Sequence, residues 1–405
     1  MACRQLFCRR FFQSHVSSNI LAQHSGIANQ QRPLSYIKFT SCRFQPSIFT
    51  GRNHNCRNQT HSVKQLSVIN WSNQTHRSFH LHSCCCCQQI GDEKATTSVN
   101  SDTTKVDYTL RETVLNVMGA KYRVSYVDEG DKSDLVVLCL HGMPACHKDF
   151  LSILPALVNG GARVILLNFP GIGYSWHLEG PAFDYSHLTK AKLVEAFLSR
   201  LGINKVNMLV SHSSSGHSGM QLSANTDLIQ GVTFICPIAH LPHGTSKRTF
   251  SRDVMYYLLK PPIMRAVLGP LILSVFRKVS KMPIPEVEYF YGLIVESKTW
   301  NWKQAEADLK TINAKAMPVM VLAAHRDPIV QLYISKGVMN LLGISQGNRL
   351  TYSKDNVWQP VEKGNVNPMK HGVIFEKSSH WIQKSHPDVV ADLILNFLKA
   401  IKDHR

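Results

Sequence analysis

The chain has 405 residues, 44% of them hydrophobic and 18% charged, with a formal net charge of +18. That length suits one large domain plus an extension, or two domains, and the apolar share is enough to bury a core. The charge first suggests a nucleic-acid binder, but its distribution excludes that class: residues 1–91 hold ten Lys or Arg and no Asp or Glu, so most of the excess lies outside the patterned part.

Residues 1–91 are rich in Ser, Asn, Gln, His and Arg and show no sustained hydrophobic period. An acid-free, Arg- and Ser-rich start has the composition of a mitochondrial transit peptide, since a cationic segment is drawn to anionic membrane surfaces and along a matrix-negative potential. A long basic tail is the plain alternative, with a cytoplasmic protein as its counterpart. Arg9 and Arg10 interrupt the early apolar stretch, which argues against a secretory signal, and makes the sequons at Asn58, Asn70 and Asn73 accidents of composition. The chain has no run of 18 apolar residues, so no spanning helix is expected. Eight of the eleven cysteines precede residue 92, including Cys84–Cys87, a candidate for S-palmitoylation that lacks zinc-site spacing. The three remaining cysteines do not make a disulfide framework. Residues 92–109 read as a linker.

Alternation over Thr113–Met118 and Lys121–Asp128, with Gly119 between, predicts a hairpin of half-exposed strands. Four apolar runs then read as strands buried on both faces: Asp134–Leu140, Arg163–Phe169, Lys205–Val210 and Gly231–Ile235. Helices are expected over Leu188–Leu201, closed by Gly202, and from about Ser214 to Asn225. From about 240 to 312 the alternation gives way to apolar helical stretches broken by prolines. It resumes with a strand at Pro318–Ala324, a helix at Ile329–Leu342, a strand at His371–Glu376 and a helix at His386–Lys402. Strands alternating with helices predict an α/β fold with a mostly parallel sheet covered on both faces, whose chemistry gathers at the carboxyl ends of the strands.

Ser213 stands where a buried strand turns into a helix, the position of a nucleophile elbow. The usual pattern is G-x-S-x-G, and both glycines are replaced here, by Ser211 and Ser215. Ser214 and Ser215 would be rotated away from the turn, and Ser218 lies a full turn into the helix. The plain reading of the stretch is a serine-rich helix start supplying caps. Asp327 follows a strand and suits an acid that orients a histidine; it would equally cap a helix beginning at Pro328. His380, between the last strand and last helix, suits a general base. His386 reads as an ordinary helix-start residue. After the third strand, His141-Gly142-Met143-Pro144 would offer the backbone N–H of Met143, with that of Ser214, to a developing oxyanion, and His141 would brace the loop.

The segments His-Gly-Met-Pro-Ala-Cys-His-Lys-Asp-Phe, Asn-Phe-Pro-Gly-Ile-Gly-Tyr-Ser, Val-Ser-His-Ser-Ser-Ser-Gly, Ala-His-Arg-Asp-Pro-Ile-Val and Ser-Ser-His-Trp-Ile-Gln together resemble those of the α/β-hydrolase fold, in order, over about 290 residues. The His-Gly-x-Pro loop resembles the epoxide-hydrolase-like branch, in which the nucleophile would be aspartate; Ser213 points instead to ester, thioester or amide hydrolysis. The resemblance implies a core over 110–239 and 313–405, a helical cap over 240–312, and a Ser213–Asp327–His380 triad acting on a small-molecule acyl substrate without metal or organic cofactor. Its alternative is a non-catalytic protein of the same fold that binds a ligand or partner. The cap is apolar (Leu258, Ile263, Val267, Leu271 and Val275 among others) and basic (Arg252, Lys260, Arg265, Arg277, Lys278, Lys281), as for a lipophilic acyl site or a face that touches an anionic membrane; packing on the core is the plain reading.

Overall fold

Leu110–Val117 (β1) and Ala120–Glu129 (β2) form the expected hairpin, and Val136–Leu140 (β3), Arg163–Leu167 (β4), Met208–His212 (β6), Val232–Ile235 (β7), Val319–Ala324 (β8) and Lys370–Phe375 (β11) form the buried strands. The computed structural model describes residues 108–130, 133–171, 173–244, 249–280, 284–353, 358–360 and 367–404. The expected transit segment, the sequons, Cys84–Cys87 and nearly all of the linker lie outside these residues.

Three further strands carry too little pattern to be read from sequence. Trp176–Glu179 (β5) is exposed along its length and pairs with β2, while Arg349–Tyr352 (β9) and Trp358–Pro360 (β10) finish the far edge. The sheet order is β1-β2-β4-β3-β6-β7-β8-β11-β9-β10. From β4 through β9 every neighbour is parallel, and the antiparallel pairs lie toward the two ends.

Alternate side chains of each inner strand serve opposite faces, as period-two geometry requires. Leu138 and Leu140 join one apolar cluster with residues of His187–Arg200 (α2), Gly216–Asn225 (α3), Trp302–Ala314 (α7) and Leu332–Leu341 (α8). Val137 and Cys139 join the opposite cluster with Leu154–Asn159 (α1) and Pro387–Asp403 (α10). Residues 302–312, expected within the cap, therefore belong to the main layer: Ala305, Leu309 and Ile312 of α7 are buried there. The reason is the amphipathic stripe of α7, which fits the sheet side rather than an outlying insert.

The insert proper consists of Thr249–Leu259 (α4), Pro262–Ser280 (α5) and Val287–Thr299 (α6). It has its own small core, in which Leu259, Leu273, Ile284, Phe290 and Ile294 pack around Met143 and Cys146 of the loop after β3. A buried ion pair fastens it: Lys190 of α2 donates to Glu296 of α6 at 2.6 Å, with the ammonium 4.9 Å from the Phe169 ring centre.

Candidate active site

The strand that presents Ser213 runs two residues further than its apolar pattern. Ser211 and His212 are buried and polar, yet they complete β6 because their side chains find partners. Ser211 Oγ lies 3.0 Å from Ser215 Oγ, and Ser215 Oγ is 2.7 and 2.8 Å from the carbonyl oxygens of Leu140 and His212, to one of which it donates its proton. Ser213 follows with φ of +57°, a left-handed backbone that costs a non-glycine residue strain and turns the chain sharply. Its carbonyl accepts Ile238 N–H at 2.9 Å, and the helix α3 begins at Gly216.

Space for an elbow without its two glycines comes from neighbouring positions. A Cβ on Gly219 would lie 2.7 Å from Ser211 Oγ, and one on Gly142 would lie 2.7 Å from Ser213 Cβ. The smallness that the motif normally places beside the serine thus sits across from it.

Ser213, His380 and Asp327 are brought together. His380 Nε2 is 2.8 Å from Ser213 Oγ, and His380 Nδ1 is 2.7 Å from Asp327 Oδ2. With Nδ1–H donating to the carboxylate, Nε2 is left to accept the serine hydroxyl. Burial is the largest influence on His380; it outweighs the support of Asp327 and holds the imidazole pKa below the ordinary histidine value. For Asp327 burial acts upward, but the bond to His380 and the N–H groups of Val330 and Ile329 prevail, so the carboxyl sits below its usual range. Asp327 Oδ1 accepts Ile329 and Val330 N–H at 2.8 and 2.9 Å. It does not cap a helix at Pro328, as the sequence suggests: it ties a turn, and α8 starts only at Leu332 with Gln331 as its N-cap. His386 closes the short helix Ile382–Ser385 (α9) and precedes α10 as its N-cap residue.

The loop after β3 is held by His141. His141 Nδ1 lies 2.8 Å from Gly142 O, and Nε2 accepts Phe169 N–H at 3.1 Å. The Met143 N–H, however, is engaged, donating to Ser214 Oγ at 2.9 Å. Ser218 Oγ donates to Ser215 O at 2.9 Å, away from the pocket.

A second polar group lies under the site and is not legible in the sequence. Asp149 Oδ2 is 3.3 Å from His212 Nδ1, His212 Nε2 is 3.2 Å from His380 O, and Lys384 Nζ is 2.7 Å from Asp149 Oδ1. Burial pushes the Asp149 carboxyl upward, but His212 and Lys384 bring it down to about 2. The group joins the loop after β3, the turn at Ser213 and the loop of His380 across 63 and 168 positions of sequence. Asp149 carries no local signal of this role, since it closes the polar run His147-Lys148-Asp149.

Cys236 Sγ, a carboxylate oxygen of Asp327 and a ring nitrogen of His380 lie within 4.8 Å of one another, the one such group among the described residues that could hold a metal. The donor set does not fit one. The thiol, fully buried, is pushed well above its ordinary pKa, and the histidine and aspartate are already bonded to each other. The cleft over Ser213 is lined by Met143, Pro144, Ala145, Ile284, Ile329 and Trp381, mostly apolar, with Asp149 and His212 at its polar side.

Residues 136–262 match the family model described as alpha/beta hydrolase fold. A haloalkane dehalogenase from Psychrobacter cryohalolentis is 24% identical over 295 residues, covering 69% of this chain and 88% of that protein. Among solved structures, a thermophilic esterase from Thermogutta terrifontis superposes with a TM-score of 0.52 at 16% identity, over 72% of this chain and 99% of that one. The haloalkane dehalogenase DbeA from Bradyrhizobium elkani superposes with a TM-score of 0.51 at 15% identity, over 74% and 100%.

Proposed function

We propose that this chain, which belongs to the α/β-hydrolase fold superfamily, is a serine hydrolase that cleaves an ester, thioester or amide bond of a lipophilic small molecule. The observation that carries the reading is the continuous pair of hydrogen bonds from Ser213 through His380 to Asp327. In it, Ser213 Oγ attacks the carbonyl carbon as His380 Nε2 takes the hydroxyl proton. Asp327 holds the tautomer and favours the imidazolium that forms. His380 then gives its proton to the leaving oxygen, sulfur or nitrogen, and an acyl-enzyme remains. A water, deprotonated by His380, attacks the acyl carbon and frees Ser213. The apolar lining over Ser213 supports a lipophilic acyl group.

Several relatives are named for dehalogenation of haloalkanes. That chemistry does not transfer to a serine. An alkoxide that displaced a halide from carbon would form an ether, which water does not cleave, and the protein would stop after one event. A carboxylic derivative gives a hydrolysable ester at Ser213, as turnover requires. The esterase relative is consistent with this choice.

A second reading, a binding protein without turnover, is favoured by one observation: Met143 N–H is bonded to Ser214 Oγ and not open toward the cleft. Labelling of the full chain by a fluorophosphonate, beside Ser213→Ala and His380→Ala, separates the two. The hydrolase reading expects labelling that both substitutions abolish. A folded wild-type protein that takes no label sinks it, and label that survives Ser213→Ala assigns the nucleophile to another serine.

A further inference from the structure

The insert turns apolar side chains in both directions. The inner side of α5 is accounted for: Leu273 is buried in the small core that also holds Met143 and Ile284. Its outer side is not. Ile263, Val267, Leu271, Val275 and Val279 recur every four residues and are 74, 68, 66, 55 and 70% exposed. Each lies about 40° further round the helix than the last, so the five wind as an oblique ridge across about 160° of its outer side, centred on Leu271. Met264 borders it, and Val254, Tyr257 and Leu258 of α4 extend it sideways. More than half of the large apolar side chains exposed among the described residues lie between Val254 and Val279. A surface helix ordinarily turns such a stripe to the core; here it faces solvent, and an apolar patch of this extent marks a contact surface.

The charge of the same segment says what covers it. Between residues 254 and 285 there is no Asp or Glu, while Lys260, Arg265, Arg277, Lys278 and Lys281 are all basic. Arg265 pairs with Glu288, and Arg277 donates to the carbonyl of Ile284, so both are held by α6 and its approach. Lys260 and Lys278 stand at the two ends of the stripe and are exposed, with no acidic partner among the described residues. A second copy of the chain would bring like charge against like. So would the chain's own residues 1–91, which hold ten cations and no acid. An apolar ridge with cations at its ends complements an anionic lipid surface, where the ridge enters the acyl boundary and the ammonium groups meet phosphates. Among the described residues no helix is long and apolar enough to cross a membrane, and α5 lying in the interface needs no crossing.

We infer that α4 and α5 dock the protein on anionic bilayers, with α5 lying in the membrane plane. A single helix, about 10 Å thick, then separates the lipid from the small core above the cleft. Docking thus delivers the protein to the phase in which lipophilic acyl compounds reside.

The test is flotation of the full chain with vesicles of phosphatidylcholine and phosphatidylglycerol in a ratio of about 7:3, beside vesicles of phosphatidylcholine alone. The wild type is expected to float with the anionic vesicles. The combined Val267→Ser, Leu271→Ser and Val275→Ser variant is expected to lose about tenfold or more of that partitioning. Its melting temperature should match the wild type, because the three side chains face outward. Lys260→Glu with Lys278→Glu gives a second variant: binding to anionic vesicles should weaken and lose part of its salt dependence. Should the triple variant fail to fold, Ile263→Ser and Val279→Ser at the ends of the stripe carry the same expectation. Three results overturn the inference: a wild type that stays unbound, substituted stripes that float as the wild type does through residues 1–91, or a triple variant whose sole change is from dimer to monomer by sedimentation.

Discussion

The backbone N–H of Met143 donates to the hydroxyl of Ser214, the residue next to the proposed nucleophile Ser213, over 2.9 Å. A developing oxyanion has to compete with that hydroxyl. Ser214→Ala removes the competitor and leaves both backbone donors. Exchange of one ordinary hydrogen bond involves about 1 kcal/mol, so kcat for a chromogenic ester should rise about fivefold with KM unchanged. A fall in kcat would instead mean that the hydroxyl itself donates to the oxyanion.

The pH profile of kcat/KM follows from the burial of His380. In the proposed mechanism the neutral imidazole is the active base, and its pKa lies below the 6.5 of a free histidine. The acid limb should therefore have its midpoint below pH 6.5 and reach a plateau by neutrality. Asp327 acts to raise that pKa, so Asp327→Asn should move the limb lower still. The same change should reduce kcat by a factor on the order of 10⁴, since the tautomer is no longer held. An acid limb centred above pH 7 would contradict the assignment of His380 as the base.

Acid stability should depend on buried histidines outside the site as well as on His380. Burial holds His217, His243 and His371 at about 4, below the ordinary 6.5. The folded state binds fewer protons than the unfolded state between these values. The stability that these three contribute is thus complete above pH 6.5 and is lost as the pH falls from 6.5 toward 4; they take up about three protons on unfolding near pH 5, to which His380, His187, His240 and His386, also lowered by burial, add. Urea unfolding at a series of pH values measures the slope. His217→Gln should lower it by about one proton, and an unchanged slope would remove His217 from the account. The carboxyl of Asp149, at about 2, contributes only below this window.

Gly219 and Ser211 should behave as one unit. A methyl on Gly219 meets Ser211 Oγ at 2.7 Å and Cβ at 2.9 Å, so Gly219→Ala alone should cost about 1–3 kcal/mol. Adding Ser211→Gly opens the space and should recover most of the loss. A double-mutant cycle by thermal unfolding reads the coupling, and additive losses would show that the two positions do not share the space.

What could be read from sequence divides along the same lines. The inner strands are legible as apolar runs because both of their faces are buried, and the hairpin because β1 and the first residues of β2 keep one face open; Val124–Asp128 of β2, expected to be half-exposed, are buried on both faces because β4 and both core layers cover them. β6 reads as ending at Val210 because Ser211 and His212 break the apolar run, and nothing local says that their hydroxyl and imidazole will be satisfied. β5 is exposed throughout and β9 and β10 are four and three residues long, too short for a period to register. Ser213, Asp327 and His380 were legible because each follows the end of a strand. Asp149 with His212 was not, since a pairing across 63 residues has no local signature. The glycine that frees the elbow was equally hidden: it stands eight residues after Ser211, and only the packing of α3 on β6 brings them into contact.

The ion pair between Lys190 and Glu296 limits how the two parts of the molecule can be exchanged. Lys190 belongs to a main-layer helix, yet its counter-charge comes from the insert, 106 residues away. A shortened chain without the insert would leave an ammonium beside Phe169 with no acid to answer it. Loss of one partner of such a pair costs about 3–5 kcal/mol, against a total stability of about 5–15 kcal/mol for ordinary domains. The insert is therefore not an interchangeable module. A graft of another three-helix segment, or its recombination between related chains, would succeed only if the incoming piece carried a carboxylate to the place of Glu296, or if Lys190 were made neutral in the same step.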